Sequence, residues 1–245
     1  MQNTIKLLVS PQNLEEAQIT IKAGSDYIDC KNPKEGSLGA NFPWIIKKMK
    51  ELIPKENNQL LSAAIGDFPY LPGTASLAAL GAVTSGADII KVGLMGPKNE
   101  QEALDLMKPV VKTVKTYNKS ALVVVAGYAD YSRMEGSPEF LSIPSIGAKS
   151  GADIVMLDTY IKDDKNLFDF LTIEQLKEFN SKAKRMDLQV ALAGRLKFED
   201  IDNIKKIGPN IIGVRSAVCK GFDRNKGKMD PHLIKSLKEK LLAYE

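Results

Sequence analysis

The chain has one histidine, His232, and two cysteines, Cys30 and Cys219, in 245 residues. So little imidazole and thiol argues against zinc chemistry and against a Ser-His-Asp triad. His232 falls early in a helix of the outer layer. The two cysteines form neither a metal spacing nor a disulfide framework. Cys30 stands between Asp29 and Lys31, so strand alternation turns it away from both, as a small buried apolar group. No apolar run is long enough to span a membrane, and low-complexity tracts and linkers are lacking. Met1-Gln2-Asn3-Thr4 leads straight into a short strand carrying Lys6, which is no signal-peptide pattern, so cytoplasmic residence is the default expectation. Charge of one sign is lacking too: 34 basic residues face 30 acidic ones, for a net +4. The lysines are spread over most helices without interleaved aromatics, so neither nucleic acid nor a membrane is the expected partner. A small anionic ligand suits the mild positive balance. Hydrophobic content of 44% and charged content of 26% fit one globular domain over residues 1–245.

What the chain does have is a fourfold repeat. Gly24-Ser25-Asp26, Gly86-Ala87-Asp88, Gly151-Ala152-Asp153 and Gly208-Pro209-Asn210 each precede an apolar strand. Counted from the Asp or Asn, the third residues are Asp29, Lys91, Met156 and Gly213, and the fifth are Lys31, Gly93, Asp158 and Arg215. Third and fifth positions share parity, so in a strand they point to one side. The turns recur about every 60 residues, which suits a β-α-β-α unit. Strands over 5–9, 60–65, 122–126 and 188–193 supply the other half of each unit. Helical spacing covers 12–23, 42–53, 74–85, 99–117, 144–150, 172–186, 198–206 and 230–243. Thr172 with Gln175 reads as a capping box, and Asp230-Pro231 opens the last helix. Eight strand–helix pairs in a chain of this size predict an α/β fold, a single (β/α)8 TIM barrel, with an open doubly wound sheet as the competing fold.

Active sites of such barrels lie at the C-terminal ends of the strands. Asp29, Lys31, Lys91 and Asp158 fall there, and Lys162 lies in the loop just beyond. A lysine forms a Schiff base with a carbonyl when its amine is neutral, and a second cation nearby lowers its pKa toward that state. The carboxylates then hold the other ammonium groups and move protons. Register does not choose between Lys31 and Lys91 as nucleophile. The plainer reading of the five charges is a set of structural ion pairs, but so many in one mouth exceed structural need.

A phosphate site is expected where the loops after strands seven and eight begin, at Gly194-Arg195 and Arg215-Ser216-Ala217. Lys220 and Arg224 add basic charge nearby; Arg195 and Arg224 could equally be exposed loop charges. The loops over 31–41 and 66–74 are long, polar and rich in glycine and proline, as substrate loops or rigid connectors are. Gly127-Tyr128-Ala129-Asp130 offers a further polar wall. Neither cofactor nor metal is called for, and the oligomeric state is open, a homo-oligomer included.

The run from Asp29 to Trp44, DCKNPKEGSLGANFPW, resembles the signature of the (5-formylfuran-3-yl)methyl phosphate synthase family, also called 4-(hydroxymethyl)-2-furancarboxaldehyde phosphate synthase. The resemblance extends over nearly the whole chain. It takes in Gly66-Asp67, Ile90-Lys91-Val92-Gly93-Leu94, Ala126-Gly127-Tyr128-Ala129-Asp130 and Met156-Leu157-Asp158-Thr159. It continues through Ile161-Lys162-Asp163, Leu167-Phe168-Asp169-Phe170, Ala191-Leu192-Ala193-Gly194 and Gly213-Val214-Arg215. It implies a lyase that condenses two molecules of glyceraldehyde 3-phosphate, a phosphorylated aldehyde, into a furan aldehyde, losing phosphate and water, for methanofuran biosynthesis. It also implies that Lys31 forms the Schiff base, that Lys91 transfers protons, and that Asp29, Asp158 and Lys162 complete the site. The alternative is a class I, Schiff-base aldolase acting on sugar phosphates with the same lysine; a non-catalytic binder of phosphorylated metabolites is a further reading.

Overall fold

A computed structural model describes residues 4–223 and 226–242. The strands are β1 (Lys6–Val9), β2 (Tyr27–Cys30), β3 (Leu60–Asp67), β4 (Ile89–Gly93), β5 (Leu122–Tyr128), β6 (Ile154–Asp158), β7 (Gln189–Leu192) and β8 (Ile211–Val214). Between and after them run α1 (Leu14–Lys22), α2 (Pro43–Leu52), α3 (Pro72–Thr84), α4 (Glu100–Tyr117), α5 (Ile143–Ser150), α6 (Ile173–Lys184), α7 (Ile201–Ile207) and α8 (Pro231–Leu242). All eight strands are parallel and close into a barrel in chain order. The expected (β/α)8 architecture is what the chain adopts.

Strand alternation divides the core into two shells. Leu8, Ala64, Ile89, Val124, Ala126, Ile154, Met156, Ala191 and Ile211 fill the barrel. Their neighbours, such as Leu7, Ile28, Ile90, Val123, Val155 and Ile212, pack outward against the helices. Cys30 is in the outer shell and fully buried, as its parity required. Helix starts follow local chemistry: Thr172 and Gln175 form the reciprocal capping box on α6, and Asn13 and Asn99 cap α1 and α4.

The repeated turn has a structural purpose that the residue count alone did not disclose. Its glycines have φ of +82°, +98°, +77° and +70°, a region that glycine enters without penalty. Its third residue then reaches back to the strand before. The N–H groups of Leu7, Leu61, Val123 and Val190 donate to the side chains of Asp26, Asp88, Asp153 and Asn210, at 2.9, 2.8, 2.7 and 2.9 Å. Each odd strand is thereby tied at its start to the even strand that follows. Lys50 and Lys115 brace Asp88 and Asp153 at 2.7 and 2.9 Å. Asn210 makes the same tie without charge, so the hydrogen bond is the shared element.

One strand breaks the simple alternation. β3 shifts register against β4 between Ala64 and Asp67, a bulge that re-aims the end of the strand.

Candidate active site

The third and fifth positions of the repeat meet inside the C-terminal mouth. Asp29 is fully buried. Its Oδ1 accepts a hydrogen bond from Lys91 Nζ at 2.6 Å and its Oδ2 accepts one from Ser10 Oγ at 2.8 Å. Lys31 Nζ stands 3.8 Å from the same Oδ2. Across the barrel, Asp158 Oδ1 accepts from Lys162 Nζ at 2.9 Å and from the Thr159 N–H at 2.8 Å. Lys162 also donates to the Thr159 carbonyl. The structure therefore brings together all five residues Asp29, Lys31, Lys91, Asp158 and Lys162. Met156 and Gly213, the other third-position residues, face inward beside them and leave the space uncharged.

Electrostatics separates the lysines by their surroundings. Burial pushes the Lys31 amine down from 10.5 to about 8. Asp29 and Asp158 oppose that fall, and the cations Lys91 and Lys162 add to it. Burial works against ionising Asp29, but Lys91, Lys31 and the Ser10 hydroxyl outweigh it and hold its carboxyl below the usual range. Asp158 behaves alike, with Lys162 and Lys31 outweighing burial. A partly neutral amine between two ionised carboxylates is a chemically competent nucleophile.

The loop from Lys31 to Asn41 crosses this mouth. It is closed at its base by the Asn32 N–H donating to the Gly39 carbonyl at 2.9 Å. Only glycine fits at 39, because a Cβ there would lie 2.2 Å from the Asn32 carbonyl oxygen. Ser37 Oγ donates to the carbonyl of Thr159 at 3.1 Å, beyond the end of β6. In an eight-strand barrel β2 and β6 are diametrically opposed, so the loop is a strap across the full opening. Leu38, fully buried, drops from it into the interior shell beside Ala64, Tyr128 and Met156. The open cleft is correspondingly lined from β1, β2 and β6 to β8 and the residues just after them, Lys31, Asp158, Gly194, Arg215 and Ser216 among them. Nothing from β3, β4 or β5 lines it.

Of the residues expected to hold phosphate, Gly194, Arg195, Arg215 and Ser216 line that cleft, and Ala217 lines a neighbouring cavity instead. Gly194 has φ of +107° and Arg195 a positive φ of 52°. The Arg195 guanidinium bonds to Asp164 Oδ1 at 2.8 Å and to the Asp163 carbonyl. Ser216 and Ala217 begin the 3-10 turn Ser216–Val218. Arg215 departs from the simple expectation of an anion-seeking side chain: its guanidinium lies against Glu16 Oε2 at 2.8 Å and the Ser10 carbonyl at 2.9 Å. Burial opposes ionisation of Glu16, yet Arg215 keeps its carboxyl below the usual range. Arg224 lies outside the described residues.

Four groups of the site had no signal in the residue count. Ser10 is the residue after β1, outside the repeat. Glu16 is one acid among many on an amphipathic helix. Asp67 and Tyr128 form the remaining pair, the Tyr128 hydroxyl donating to Asp67 Oδ1. Both sat in loops read as polar walls or connectors.

Barrel, buried carboxylates and a lysine of lowered pKa define the class, and the relatives below agree with it: this is a (β/α)8-barrel enzyme. Solved structures agree on the fold. 3-Hexulose-6-phosphate synthase from Salmonella typhimurium superposes with a TM-score of 0.67 at 16% identity, covering 97% of this chain and 99% of that one. KGPDC from Streptococcus mutans gives 0.65 at 11%, covering 98% of each. Sequence narrows the class further. The family model for 4-HFC-P synthase matches residues 7–238, and the chain belongs to that family. The (5-formylfuran-3-yl)methyl phosphate synthase of Methanocaldococcus jannaschii is 55% identical over 233 residues, 95% of this chain and 98% of the relative. That of Methanothermobacter thermautotrophicus is 51% identical over 238 residues, 97% and 99% of the two chains.

Proposed function

We propose that this enzyme joins two molecules of glyceraldehyde 3-phosphate into (5-formylfuran-3-yl)methyl phosphate through a Schiff base on Lys31. The observation that carries the reading is the Lys31 amine, lowered to about 8, at the edge of the open cleft between Asp29 and Asp158. The reaction balances with two triose phosphates giving one furan phosphate, one inorganic phosphate and two waters. Attack of the neutral amine on the aldehyde expels water as the imine forms. The imine acidifies the adjacent C–H, and the resulting enamine can add to the second aldehyde or expel a phosphate placed β to it. Later hydrolysis of the imine frees Lys31.

Each proton move has a group at hand. Lys91 with Asp29 serves the β2–β4 side, and Lys162 with Asp158 serves the β6 side. Gly194, Arg195, Ser216 and Ala217 would receive a phosphate on backbone N–H groups and guanidinium, with Arg215 as a fixed positive wall. The product suits a cytoplasmic route to the furan core of methanofuran. A class I aldolase acting on sugar phosphates would use the same lysine, so product chemistry decides. Incubation with glyceraldehyde 3-phosphate alone should yield an ultraviolet-absorbing furan aldehyde and one free phosphate per furan. Lys31→Arg should yield neither while keeping the fold. A sugar bisphosphate without phosphate release, or near-normal turnover by Lys31→Arg, would refute the reading.

A further inference from the structure

The pair Asp67–Tyr128 is unexplained by the chemistry above. Tyr128 is fully buried, and Asp67 stands at the bulged end of β3. Burial and the charge of Asp158 work to raise the Asp67 carboxyl, while Tyr128 and the Leu38 N–H work to lower it; the net direction is up. β4 gives up a side chain to house the pair: a Cβ on Gly93 would lie 1.9 Å from Asp67 Oδ1 and 2.6 Å from the Tyr128 hydroxyl. A polar pair accommodated this way in an apolar shell costs stability unless it holds something in place.

What it holds is the strap. Asp67 Oδ2 accepts the Leu38 N–H at 3.4 Å, at the point where the Leu38 side chain plugs the barrel. Ser37, the residue before it, is tied by its own hydroxyl to the Thr159 carbonyl on the β6 side. The strap begins at Lys31 itself, so its seating determines how dry the amine is. We propose that Asp67, oriented by Tyr128, is a positioning residue for Lys31: it latches the strap down and keeps water from the amine. The pair is given no catalytic step: its side chains bond to each other and to the Leu38 N–H of the strap. This inference rests on the reading of Lys31 as the nucleophile.

Direct electrostatics and latching predict opposite signs, and that makes the idea testable. Lys31 faces Asp29, Asp158, Lys91 and Lys162, with Arg195 and Arg215 on the same cleft. Asp67 faces Tyr128, Asp158 and Lys162, and Tyr160 lies against Tyr128. Removing the Asp67 carboxylate as a mere charge would make the Lys31 amine easier to deprotonate. Releasing the strap would hydrate the amine and make it harder. The experiment is competitive labelling of the full-length protein with limiting acetic anhydride from about pH 6 to about pH 11, read at the Lys31 peptide by mass spectrometry. In the wild type the labelling midpoint should be about 8. In Asp67→Ala and Tyr128→Phe it should rise by about one pH unit, a tenfold loss of neutral amine at pH 7. Asp67→Asn keeps an acceptor for the Leu38 N–H and should restore most of it. An unchanged or lowered midpoint in folded Asp67→Ala overturns the latch; if that variant does not fold, the same result with Tyr128→Phe does so. A wild-type midpoint near 10.5 would instead defeat the nucleophile reading.

Discussion

Replacing Asp29 with asparagine should make the amine of Lys31, the proposed nucleophile, more reactive and the protein less stable. The carboxylate is fully buried, accepts from Lys91 Nζ at 2.6 Å and Ser10 Oγ at 2.8 Å, and has Lys31 Nζ as an ion-pair neighbour at 3.8 Å. Asparagine keeps the shape and one acceptor oxygen but removes the charge. Lys91, 1% exposed, then carries an ammonium with no carboxylate against it. Breaking a buried pair from one side costs about 3–5 kcal/mol, and the retained acceptor places this case near the low end, about 3 kcal/mol. Lys31 meanwhile loses the stronger of the two anionic influences that hold its pKa up, while burial, Lys91 and Lys162 still push it down. Its midpoint should fall below about 8, so the neutral fraction at pH 7 should increase. Turnover should nonetheless drop, because Lys91 loses the carboxylate that positions it for its proposed role in proton transfer. The assays are the denaturant midpoint, Lys31 labelling against pH, and product formation with glyceraldehyde 3-phosphate. A rise in the Lys31 midpoint, or unchanged stability, would show that Asp29 does not govern the two lysines as argued.

Gly93→Ala puts a Cβ 1.9 Å from Asp67 Oδ1, so the pair must move; a loss of about 1–3 kcal/mol is expected from thermal unfolding, with Lys31 labelling altered as in the latch variants. Asp29 and Asp158 have folded pKa values below their unfolded ones, so their stabilisation is complete above about pH 4 and is lost as pH falls through the folded values. Acid titration of the unfolding midpoint should show that loss, and it should be smaller in Asp158→Asn. Lys31 acts in the same sense at higher pH: its folded pKa is also lowered, the unfolded chain binds its proton more tightly, and stability should rise between about pH 8 and pH 10.5, a rise that Lys31→Met should abolish.

The charged heart of the site was legible because four strands share one turn. Counting from Asp26, Asp88 and Asp153 put Asp29, Lys91, Lys31 and Asp158 on the inner face, and the structure has them there. The same count fails on β3. Its bulge between Ala64 and Asp67 inverts parity, so alternation from Ser62 and Ala64 would send Asp67 outward. Tyr128 keeps its parity on β5, but its meaning depends on Asp67 and on the empty place at Gly93. Arg215 shows the other limit. Its fifth position placed it at the cleft correctly, yet its guanidinium turns to Glu16, a residue almost the whole chain away. Strand register predicts which face a residue occupies; a pairing made between distant helices and loops leaves no local trace.

The ties made by the repeated turn also bear on the order of assembly. They close over 19, 27, 30 and 20 residues, short spans for a barrel whose last seam joins β8 to β1. Loop-closure entropy grows with span, so each β-α-β segment can be cinched before distant strands meet. Chain breaks then differ in kind. A nick between Tyr117 and Leu122 leaves all four cinches whole, two in each fragment, and the halves retain the means to form and reassociate. A nick between Ser150 and Asp153 puts Val123 and its carboxylate partner on different molecules, and turns a contact within one segment into a second-order encounter.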